Sequence, residues 1–131
     1  MKKLLTILCV AMVAIGLSSC TKKYITPNPN QTILFTVPTS SWTLSTDGKS
    51  YYSVISTPEI DSYFNDNGGV LVYFSFTNGV YEQVPEVYNG VSYSYTHNAG
   101  SVVLYAQTPD GVTPIKPDPL TLKLLLLTSN Q

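Results

Sequence analysis

Three Asx-Gly pairs, Asp47-Gly48, Asn78-Gly79 and Asn89-Gly90, and a related Asn98-Ala99-Gly100, cut the middle of this chain into short pieces. Glycine enters positive φ without a Cβ clash and asparagine tolerates it, so such pairs close tight hairpins. The pieces between them alternate apolar and polar residues, the period of a half-buried strand. Hairpins of this kind restrict the chain to antiparallel β architecture.

The strand candidates follow in order. ILFTV (33–37) is ended or bent by Pro38, and SWTLS (41–45) puts Trp42 and Leu44 on one side. SYYSVIS (50–56) returns after a two-residue turn at Asp47-Gly48. GVLVYFSF (69–76) is almost wholly apolar and reads as a central strand buried on both faces. VYEQV (80–84) runs back from Asn78-Gly79, and Pro85 marks an edge or a bulge. VSYSYTH (91–97) alternates cleanly and turns into SVVLYAQ (101–107). TPDGVTPIKPDP (108–119) is a loop, and LTLKLLLLT (120–128) is the last strand.

One helix is expected, over Thr57–Asn65. Thr57 caps it, Pro58 suits its first position, and Ile60, Tyr63 and Phe64 face the core at i, i+3, i+4. Asn67-Gly68-Gly69 stops it. The expected fold is therefore all-β: an antiparallel β-sandwich of about seven to eight short strands with one short helix, an open barrel being the alternative.

The N-terminus is organised differently. Lys2 and Lys3 precede an apolar run from Leu4 to Leu17, broken only by Thr6 and Gly16, and small residues follow. This is the layout of a secretory signal peptide, and the run is short of the ~20 apolar residues that a transmembrane helix needs. Its end, Leu17-Ser18-Ser19-Cys20, resembles the lipobox of bacterial lipoprotein signal peptides. The resemblance implies diacylglycerol on the Cys20 sulfur, cleavage before Cys20, and an acyl chain of the palmitate kind on the new N-terminus. Each buried CH₂ contributes ~0.8 kcal/mol, and two or three chains hold a protein firmly on a bilayer. The expected organisation is a signal peptide over 1–19, lipidated Cys20 and a Pro- and Asn-containing tether over 20–31, and a β domain over 32–131.

Cleavage leaves 112 residues (131 − 19), enough for one small domain and without a second cysteine for a disulfide. This part carries five Lys, no Arg and eight acids, a side-chain sum of −3 (5 − 8). Nucleic acid, which wants clustered Lys and Arg, is excluded as a partner.

The whole pattern is similar to small uncharacterised outer-membrane lipoproteins of Bacteroidota-type Gram-negative bacteria. The features that carry the likeness are the lipobox, the short tether, the Trp42 strand, TPEI…GGVLVYF, YEQVP and VSYSYTHNAGSVVLYAQ. The likeness covers most of residues 40–127 and contains no catalytic motif. It implies an all-β fold and an outer-membrane, lipid-anchored location in the cell envelope, on its periplasmic or surface face.

No catalytic constellation is expected. His97 is the only histidine and has no G-x-S-x-G nucleophile to serve. One His and one lipidated Cys make no zinc site, and Asn65-Asp66-Asn67-Gly68 lacks the outer ligands of a calcium loop. No cofactor is implied. Glu82 and Glu86, four residues apart on an interrupted strand, are expected to face water. The aromatic residues offer one binding candidate, the Tyr81, Tyr88, Tyr93, Tyr95 face around the Asn89-Gly90 hairpin, where phenols stack on sugar rings or on a partner protein. Against it stands the reading of these rings as core and rim. The functional expectation is a non-enzymatic, membrane-anchored binding or accessory module, with a small periplasmic hydrolase as the alternative.

Overall fold

The computed structural model describes residues 30–129. The signal peptide, Cys20 and the tether as far as residue 29 lie outside them.

Nine strands are found among the described residues: β1 (Gln31–Val37), β2 (Thr43–Leu44), β3 (Ser50–Thr57), β4 (Gly69–Thr77), β5 (Val80–Val84), β6 (Glu86–Tyr88), β7 (Val91–Asn98), β8 (Gly100–Gln107) and β9 (Leu120–Leu127). They form two antiparallel sheets, one in the order β1-β9-β4-β5 and the other in the order β2-β3-β8-β7-β6. This is the expected all-β sandwich. The chain passes between sheets at Pro38, after β3, at Pro85 and along the 108–119 loop.

The core lies between the sheets, and alternation fills it. β9 sends Leu120, Leu122, Leu124 and Leu126 inward, and β8 sends Val102, Leu104 and Ala106 to meet them. Full burial of such a side chain contributes about 1.5–3 kcal/mol. Trp42, Phe74 and Tyr93 supply the large rings.

Five expectations change. The helix, α1, runs Ser62–Asn67, because Thr57 stays in β3 opposite Gly100 and the carboxylate of Asp61, accepting from Phe64 N–H at 2.7 Å, caps the helix later. Ile60, just ahead of it, is fully buried, and its carbonyl accepts from Gly100 N–H at 2.7 Å. Tyr63 is 67% exposed and does not face the core. β4 lies centrally but is buried on one face only, since no layer covers its outer side among the described residues.

SWTLS contributes only a two-residue strand. A 3-10 turn at Thr39–Ser41 precedes it, held by Ser41 Oγ donating to the Pro38 carbonyl. Leu44 is therefore exposed while Trp42 is buried. Finally, the Asp47 turn is wider than two residues: Ser45 N–H donates to Ser50 O at 2.8 Å. Asp47 accepts from Ser45 Oγ and Lys49 N–H within that loop, and these bonds hold its carboxyl below the usual range.

Asn89-Gly90 does form the tight hairpin, with both residues at positive φ (48° and 78°) as the mirror-image turn requires.

Candidate functional site

The site with the most unusual chemistry sits where β5 becomes β6. Pro85, preceded by a cis peptide bond, ends pairing in one sheet and delivers the next residue to the other. Glu82 pairs with the inward-facing Phe74, and Glu86 pairs with the inward-facing Tyr93. Both carboxyls thus point toward the gap between the sheets at its rim. A continuous strand would have held them about 13 Å apart, at ~3.3 Å per residue. The crossing brings them close enough for Glu82 to act on the Glu86 carboxyl.

Glu86 is half-buried, and its Oε1 is fully buried. Desolvation pushes its carboxyl up to about 7, with the hydrogen bond and the charge of Glu82 adding to the rise. Tyr93 beside Glu86 is pushed up to about 12, first by burial and then by the charges of Asp118 and Glu86 and by Tyr88.

The four candidate tyrosines do not share one outward face. Tyr93 is 4% exposed and centres an aromatic cluster: its ring lies 5.5 Å from Phe74, 5.3 Å from Phe76 and 6.5 Å from Trp42. Tyr88 stacks on Phe76 at 4.2 Å and 4°. Tyr95 points inward too; its hydroxyl donates to Val70 O at 2.7 Å, on a stretch of β4 that β5 does not reach. Tyr81 belongs to the other sheet's outer side, where Lys123 Nζ lies 3.9 Å from its ring centroid. Across the Asn89-Gly90 hairpin Glu86 pairs with Tyr93. Val84, on the far side of Pro85, belongs to the opposite sheet and shares no ladder with Tyr95.

His97 packs as a structural residue. Its Nδ1 lies 3.1 Å from Asn65 Oδ1, so the tautomer carrying Nδ1–H ties β7 to α1. Among the described residues no group of three or more His, Cys, Asp or Glu could hold a metal ion. Glu82 and Glu86 were both expected to face water; Glu82 is exposed, but Glu86 is half-buried because the crossing at Pro85 carries it to the other sheet. Pro85 was the available signal: a proline inside a strand pattern removes a ladder donor and favours a change of sheet.

Comparison with protein-family models, with curated proteins and with solved structures finds no match.

Proposed function

We propose that this chain is an envelope lipoprotein, held on the outer membrane by lipid on Cys20, whose β-sandwich serves as a non-enzymatic binding or accessory module. The observation that carries this reading is the register of Lys2-Lys3, the apolar run and LSSC, followed within a dozen residues by the first strand. Tyr93 and Tyr88 are engaged in core packing, so a binding site of this module lies elsewhere than on the hairpin tyrosines. Expression of the full chain in a Gram-negative host tests the anchor. The wild type should fractionate with membranes, and Cys20→Ala should accumulate unprocessed or leave the membrane fraction. Equal fractionation of the two would reject it.

One observation favours the hydrolase alternative. Two carboxyls brought together at the sheet rim, one of them raised by burial, are the groups that general acid–base hydrolysis uses. A screen of glycosidase, esterase and peptidase substrates decides between them, with Glu86→Gln and His97→Ala as controls. No turnover is expected; turnover lost in Glu86→Gln would establish the hydrolase.

A further inference from the structure

The outer side of the four-stranded sheet is rich in leucine, whereas the outward positions of β3, β7 and β8, equally free of carboxylates, are mostly Ser, Thr, Tyr and Val. β1, β9 and β4 together carry a single charged residue, Lys123, and no carboxylate. The pairing register arranges the outward positions in rows. Leu34, Lys123 and Tyr73 form one row, and Thr32, Leu125 and Leu71 the next. Leu127 lies beyond, opposite Gly69. Leu34 is 59% exposed and the other leucines are partly so. Lys123 Nζ lies 4.7 Å from the Tyr73 ring centroid, so a cation and a phenol stand together among leucines.

Where the patch lies matters as much as what it contains. Leu125 pairs with Thr32 and Leu126 with Gln31, so the leucines gather at the end of the sheet where the chain arrives from Cys20. Eleven residue steps separate Cys20 from Gln31, a reach of roughly 40 Å at most when fully extended. An anchor on Cys20 therefore keeps this end of the sheet close to the lipid. Leucines with tyrosine and lysine suit the bilayer interface, where apolar side chains enter and amphipathic ones stay at headgroup level. The absence of carboxylates removes repulsion from anionic headgroups, although the chain as a whole is acidic. Tethering raises the local concentration of the surface, so a face too weak to bind free in solution can still dock.

We infer that the outer face of the four-stranded sheet, around Leu34, Leu71, Lys123, Leu125 and Leu127, lies against the lipid surface to which the chain is anchored. The inference rests on the proposed Cys20 anchor. It fixes the orientation of the domain: the five-stranded sheet then faces away from the bilayer, free for other partners.

The test uses the full processed lipoprotein in vesicles of phosphatidylethanolamine and phosphatidylglycerol. In that protein Cys20 is blocked by lipid and Cys9 is removed, so an introduced thiol is the one that labels. Leu34→Cys and Val54→Cys are each given an environment-sensitive fluorophore. Val54 is also 59% exposed but lies on the outer side of the five-stranded sheet, so both positions tolerate the label. A lipid-borne quencher should quench the label at Leu34 several-fold more than at Val54, and iodide should show the reverse. Lys123→Glu should lower the lipid quenching at Leu34. Equal access of iodide to both labels in vesicles that still carry the protein would overturn the inference and leave the anchor standing. A Leu34 label shielded from both quenchers would assign the face to a second copy or another protein, and overturn it too. Protein that fails to float with the vesicles would reject the anchor, and the inference with it.

Discussion

Tyr93 contacts Trp42, Phe74 and Phe76 at once, so truncating it empties the middle of the aromatic cluster. Tyr93→Ala should cost about 3–5 kcal/mol in urea unfolding, as deletions of buried rings do. Tyr81→Ala removes a surface ring over Lys123 and should cost about 1 kcal/mol or less. Glu86 makes a prediction of a different kind. Its carboxyl rises from the ordinary 4.5 to about 7 in the folded chain, so the folded state binds the proton more tightly than the unfolded chain. That contribution to stability is full below about 4.5 and is lost as pH climbs through about 7. The slope is at most about 1.4 kcal/mol per pH unit, and less because part of the carboxyl meets water. Glu86→Gln keeps a donor for Glu82 at every pH. It should therefore flatten the decline and be more stable than wild type at alkaline pH, as urea titrations across pH would show.

At the scale of elements, turn chemistry was the legible part. Asn89-Gly90 closes the β6–β7 hairpin in the expected register, and Thr77 pairs with Val80 across Asn78-Gly79. The helix was legible in kind and misplaced in extent. Thr57-Pro58 resembles a helix start, but Thr57 is already committed to the β3–β8 ladder, and a long-range pairing outweighs a local cap. Asp61 is the residue that caps, so Asp61→Ala should cost about 1 kcal/mol, read from thermal or urea unfolding. An unchanged midpoint would place the start elsewhere. β5 and β6 read as one interrupted strand because periodicity runs straight through Pro85. Their division between two sheets is a tertiary event, and the meeting of Glu82 and Glu86 follows from it. For the same reason the four tyrosines, adjacent in a flat drawing of the hairpin, separate into an inner cluster and the outward Tyr81.

Across the whole molecule, charge is kept off the long strands of both sheets, Lys123 excepted. β9, β4 and β8 alternate buried apolar residues with outward ones, and the carboxylates lie on β5, β6, α1 and the connections. Among the described residues no helix is long and apolar enough to cross a membrane. In the reading proposed above, attachment runs through lipid on Cys20, and the orientation of the sandwich follows from where β1 begins. Mass spectrometry of the mature N-terminal peptide, from protein extracted with detergent from membranes, tests this most directly. The account predicts a peptide that begins at Cys20 and carries diacylglycerol on sulfur and an acyl chain on the amine. A mature chain that begins elsewhere, or one whose Cys20 thiol is free, would contradict it.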